Sequence, residues 1–141
     1  MHRRAFVGSA LALPFALPRR ARAADGGPVK LRDLYRKGGG LSDLGRSLLG
    51  ERIAVDGFMA PPLRAQAQFF VLTKMPMAVC PFCETAAQWP SDILAVYTKR
   101  AVDVLPFNLR IAATGVLEDG AFRDPATGFV SLLRLTGATY A

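Results

Sequence analysis

Histidine is all but missing from this chain. The single one, His2, stands next to the start of the 141 residues. No Ser-His or Cys-His nucleophile pair, imidazole acid–base group or histidine-rich metal site can therefore be built in the body of the protein. Cysteine is nearly as scarce, with two residues, Cys80 and Cys83. That excludes a disulfide-dense scaffold and leaves room for one cross-link or one thiol site. No apolar run is long enough to span a bilayer; the best candidate, residues 5–17, is short and interrupted at Pro14. No internal repeat is visible, so a solenoid is not expected. The acids Asp56, Glu84 and Asp92 are scattered, and no spacing pairs them as a general acid and base.

What the chain does have begins at Arg3-Arg4-Ala5-Phe6. A basic start, an apolar stretch over residues 5–17 and the small-x-small string Ala21-Arg22-Ala23 are the three parts of an export signal. The paired arginines resemble a twin-arginine signal, which engages the machinery that exports folded proteins. The apolar stretch is diluted with Ala and Gly, and Arg19, Arg20 and Arg22 follow it; both features favour that route. His2 departs from the pattern, standing where such signals carry Ser or Thr. The expectation is a signal over residues 1–23, cleaved after Ala23, and a protein delivered to the periplasm without a lipid anchor.

Cleavage changes the charge argument. The formal net charge is +7, and residues 1–23 carry five arginines and no acid, so the remainder is left at +2. A nucleic-acid partner is therefore not expected. His2 is lost as well, and no catalytic residue is expected.

Residues 24–50 read as a linker and a short amphipathic helix. Leu31, Leu34 and Tyr35 have helical spacing, and Gly38-Gly39-Gly40 then breaks the chain. Ser42 can cap a helix carrying Leu44, Leu48 and Leu49, with Gly50 ending it. From Glu51 the period becomes two. Strands are predicted over residues 51–60, 68–73, 93–97, 109–117 and 129–136, with a turn-rich loop over 118–128. Gly57 and Gly115 fall mid-strand, where a closed sheet must bend sharply. The reading is a mainly β domain over residues 51–141, a small five-stranded OB-like barrel with a short N-terminal amphipathic helix. An open sandwich is the alternative.

The strings Arg52-Ile53-Ala54-Val55-Asp56-Gly57-Phe58-Met59-Ala60-Pro61-Pro62-Leu63 and Phe69-Phe70-Val71-Leu72, followed by Cys80, carry a resemblance. So do residues 113–117 and 124–131. Together they resemble a group of small exported bacterial proteins of unknown function, in which a Gly-Tyr-Met-x-Pro strand precedes a Phe-x-Leu strand and a Cys- and Pro-containing loop. The resemblance implies an OB-like barrel and an exported address, and no reaction. That group carries a His soon after its Cys; this chain has Cys80-Pro81-Phe82-Cys83-Glu84 instead.

One segment is chemical: Met75-Pro76-Met77-Ala78-Val79-Cys80-Pro81-Phe82-Cys83. Three readings stand. Two cysteines in an oxidising compartment pair as a local disulfide, whose small ring adds little chain-entropy stabilisation. The Cys-x-x-Cys form also suits a thiol–disulfide redox pair. Here, however, Pro90 stops the long helix such pairs open. Finally, Met75, Met77, Cys80 and Cys83 are soft ligands of the kind that select Cu(I), and Zn(II) would have too few of its usual four. Met75 and Met77 could instead fill a barrel mouth, and Trp89 could plug one end of the barrel. The functional expectation is an exported accessory or binding protein in metal or envelope homeostasis. The alternatives are a thiol–disulfide redox factor using Cys80 and Cys83, and a structural partner of a membrane transporter or other envelope protein.

Overall fold

Between Arg52 and Gly57 every second residue is buried, as an alternating apolar sequence dictates for a strand with one face on a core. The same logic builds most of the molecule. The computed structural model describes residues 27–62, 64–78 and 93–141. In chain order it contains β1 (Val29–Lys30), a 3-10 helix (Leu31–Leu34), α1 (Asp43–Ser47), β2 (Arg52–Met59), β3 (Phe69–Thr73), β4 (Ile93–Thr98), β5 (Arg110–Arg123) and β6 (Val130–Tyr140). No helix among the described residues is long and apolar enough to cross a membrane.

All the strands belong to one sheet, in the order β1-β2-β3-β4-β6-β5, with β2 also paired to β5. The sheet thus curls into a partial ring. Its joins are antiparallel except two: β1 runs parallel to β2, and β4 runs parallel to β6. The ring encloses the main core, where Leu72, Leu94, Val96, Leu117 and Leu135 lose essentially all their exposure. Burying one such side chain stabilises the fold by about 1.5–3 kcal/mol.

β3 and β4 are buried on both faces. Phe70, Leu72, Leu94 and Val96 point into the ring. The alternate residues Phe69, Val71, Ile93 and Ala95 form a second cluster outside it, with Ala60 and Phe129. This accounts for the near-continuous apolar runs of these two strands.

Gly57 and Gly115 have a steric reason to be glycine. A Cβ at Gly57 would lie 2.7 Å from the Thr73 carbonyl oxygen and 2.8 Å from Leu72 Cγ. At Gly115 it would lie 2.9 Å from the Thr136 carbonyl oxygen, beside a register shift between β5 and β6. Both are places where one strand is pressed onto its neighbour as the sheet bends.

Three expectations need correction, while the helical spacing at Leu31 and Leu34 is met by a 3-10 helix. The sheet has six strands, because Val29–Lys30 adds a short parallel edge to β2. The segment after Ser42 forms a single helical turn, Asp43–Ser47, capped by the Ser42 hydroxyl accepting from the Gly45 N–H at 3.0 Å. Its remaining apolar residues, Leu48 and Leu49, follow in a turn and pack on the main core. The 3-10 helix, Leu31–Leu34, buries both of these leucines. Residues 118–123 are strand rather than loop. Gly120, at φ +100°, sits in a register shift that lets β5 continue, and the turn is confined to the residues between Arg123 and Val130.

Candidate functional site

The connection between β3 and β4 carries Met75, Met77 and both cysteines, and its two ends are anchored in the sheet. Thr73 and Ile93 are paired across the sheet, so residues 74–92 leave and re-enter side by side. On the outgoing side the Thr73 hydroxyl is buried within reach of two carbonyls, Met75 at 2.7 Å and Phe58 at 3.3 Å. On the returning side the Ile93 carbonyl accepts from the Tyr35 hydroxyl at 2.6 Å.

Of the residues assigned to the metal reading, Met75 is 59 % exposed and Met77 is partly buried. Met75 therefore does not fill a barrel mouth. That inward methionine is Met59, whose sulfur accepts from the Leu105 N–H at 3.4 Å. Cys80, Cys83, Glu84 and Trp89 lie outside the described residues, as do Arg3, Arg4, Ala21 and Ala23. Among the described residues no group of three His, Cys, Asp or Glu could hold a metal ion.

A second constellation was not foreseen. Beyond the outward face of β3 and β4, the far end of the β5–β6 hairpin brings its aromatics onto the sheet. Phe69 stacks on Tyr97 at 5.0 Å and on Phe129 at 5.4 Å. Phe122 meets Tyr97 edge-on at 5.5 Å, and the Arg134 guanidinium lies 5.1 Å from the Phe122 ring centre. Polar groups are held inside this apolar packing. The hydroxyls of Tyr97 and Ser131 are sealed from solvent, and neither makes a well-formed hydrogen bond. Burial first, and then the nearby Asp124 carboxylate, push the Tyr97 phenol up to about 12; Arg134 pulls the other way.

Asp124 is itself held by the turn it organises. Its Oδ1 accepts from the backbone N–H groups of Ala126 and Thr127 at 3.0 and 2.8 Å, and from the Thr127 hydroxyl at 2.9 Å. A turn-rich stretch here was legible in the sequence. The meeting of Asp124 with Tyr97 and Ser131 was not.

The outer face of β2 and β5 carries a basic groove of about 370 Å³, lined by Lys30, Arg32, Lys74 and Arg110 with Asp56. Arg110 donates to Asp56 Oδ2 at 3.0 Å and lies over the Phe58 ring at 4.8 Å, which fixes its guanidinium in place.

No family model matches the chain, and no curated protein matches it. A search of solved structures finds a likeness to a crystal structure of a DUF3299 family protein from Pseudomonas aeruginosa PAO1, with a TM-score of 0.50 and 14% sequence identity. The likeness covers 82% of this chain and 97% of that one. At this identity the likeness speaks for the fold alone. It agrees with the mainly β architecture described above.

Proposed function

We propose that this protein is exported through the twin-arginine machinery to the periplasm and serves there as an accessory metal-binding protein. Its frame is an OB-like ring of β2 to β6, and its working element is the connection over residues 74–92. In this reading the reduced thiols of Cys80 and Cys83 take up Cu(I), with the Met75 thioether as a third soft ligand. Met77, partly buried, is the weaker candidate. Zn(II) ranks second, because the segment offers no histidine to complete four ligands. The observation that carries the reading is the exposure of Met75. A large thioether stands in solvent at the base of the connection, where core packing gives it no role.

The cyclic strand order, closed by β2–β5 and with β4 parallel to β6, supports the OB-like frame, since such small barrels close their sheets with a crossed connection. Oxidised, the same two cysteines would form a local disulfide. A pair that cycles readily would favour the redox alternative, and a thiol-silent protein would favour the structural partner of a membrane complex.

The test is to recover the exported chain, count free thiols before and after reduction, and repeat the count on Cys80→Ser. The reading expects two thiols per reduced chain, protected from a thiol reagent by Cu(I). A disulfide that resists reduction under native conditions, with no protection by Cu(I), contradicts it.

A further inference from the structure

Two loops meet at one end of the strand ring, residues 60–62 and 64–68 ahead of β3 and residues 99–109 ahead of β5. They are stitched together, since the N–H groups of Thr98 and Val102 donate to the carbonyls of Gln68 and Ala67, each at 2.8 Å. The second loop is also pinned to the sheet. The Asp103 N–H donates to the Tyr140 hydroxyl at 2.7 Å, and Leu105 is tied to Met59.

Between and beyond these anchors, apolar side chains stand in water. Val104 is 65 % exposed, Phe107 41 % and Leu109 48 %. The Leu109 N–H donates to the Pro106 carbonyl at 3.0 Å, closing a turn with Phe107 near its tip. Exposed apolar residues scattered singly need no explanation, but here three fall within six residues of one anchored loop.

The same two loops carry Arg64, Lys99 and Arg100, and none of these forms an ion pair among the described residues. Asp103 is the only acid on either loop. Arg110, next to Leu109, is already paired with Asp56. The end is therefore positive as well as apolar.

We propose that this end of the ring docks on an anionic lipid bilayer. Val104, Phe107 and Leu109 enter the boundary between headgroups and acyl chains, and Arg64, Lys99 and Arg100 meet the acidic headgroups. A fluid bilayer accepts protruding side chains without a matching pocket, whereas a folded protein partner would need one for each. Three short apolar side chains and a small net charge give a reversible attachment, sensitive to salt. The inference does not depend on the thiol reading.

The test is flotation of the full chain with vesicles of phosphatidylcholine alone and of phosphatidylcholine mixed with phosphatidylglycerol. The chain should float with the mixed vesicles and not with the neutral ones. Phe107→Ser with Leu109→Ser should abolish flotation while leaving the melting midpoint unchanged. Lys99→Ala and Arg100→Ala should each weaken it about fivefold. Equal binding to neutral vesicles, no flotation at all, or flotation undiminished in the double serine variant would overturn the proposal. So would an acidic protein that binds through these residues while the vesicles do not.

Discussion

The Tyr35 hydroxyl donates to the Ile93 carbonyl across 58 residues of sequence, at 2.6 Å. The segment before β2 is thereby tied to the point where residues 74–92 return to the sheet. Ile93 is fully buried, so this carbonyl has little water to turn to. Tyr35→Phe should cost about 1–1.5 kcal/mol. Urea unfolding followed by circular dichroism measures the loss. A cost near zero would mean that the bond contributes nothing to holding the β4 end of the connection.

Tyr97 gives a prediction in pH. Its phenol is raised to about 12 in the folded protein, against about 10 for an exposed tyrosine. Between those values the unfolded chain has released the proton and the native chain still holds it. Stability is therefore unaffected below about pH 10 and falls as pH rises toward 12. Tyr97→Phe should flatten that fall. The phenol also interacts with Ser131 and Asp124, so losing it should change stability by no more than about 1 kcal/mol at neutral pH. Denaturant midpoints of both proteins from pH 7 to 12 decide it.

Asp124 couples the β5–β6 turn to the same phenol. Asp124→Ala removes the acceptor for two backbone N–H groups and the Thr127 hydroxyl, and should cost about 2 kcal/mol. It also removes a negative charge that helps keep Tyr97 protonated, so the phenol should titrate lower than in the parent. It should not return fully to the ordinary value, because burial is the larger cause. Tyrosine ring-carbon NMR shifts against pH, with Tyr97 assigned from Tyr97→Phe, report the titration, and urea unfolding reports the cost.

The crossing at Gly57 tests the bend of the sheet. Gly57→Ala places a methyl group 2.7 Å from the Thr73 carbonyl oxygen, and should destabilise by about 1–3 kcal/mol. The same change at Gly120 adds a methyl group to open space, and its cost comes from the positive φ alone. Comparing the two melting midpoints separates crowding from backbone strain.

Much of the sheet was legible because β2, β5 and β6 alternate with a period of two and β3 and β4 are continuous β-rich apolar runs. Residues 52–59, 69–73 and 93–98 lie within a residue or so of where alternation in the first and apolar, β-rich composition in the other two put them. Gly57 was visible as a mid-strand glycine, and the structure supplies the clash that demands it. The continuation of β5 through Asp119 and Gly120 was hidden, since that pair has the composition of a turn. Here Gly120 bends the strand instead, and its carbonyl accepts from Arg134 at 2.7 Å. β1 was hidden for another reason: two residues have no periodicity, and their pairing with β2 is a long-range event. The thiol segment could be recognised from residue types alone. The Tyr97, Asp124 and Ser131 grouping could not, because it exists only where the hairpin end meets β4.

The most direct test of the metal reading is a Cu(I) competition titration of the fully reduced, exported chain, run beside Cys80→Ser and Met75→Leu. The account predicts one Cu(I) per chain, no stoichiometric uptake by Cys80→Ser, and a measurably weaker affinity for Met75→Leu with an unchanged fold. A reduced parent chain that leaves all the Cu(I) with the competitor would contradict it.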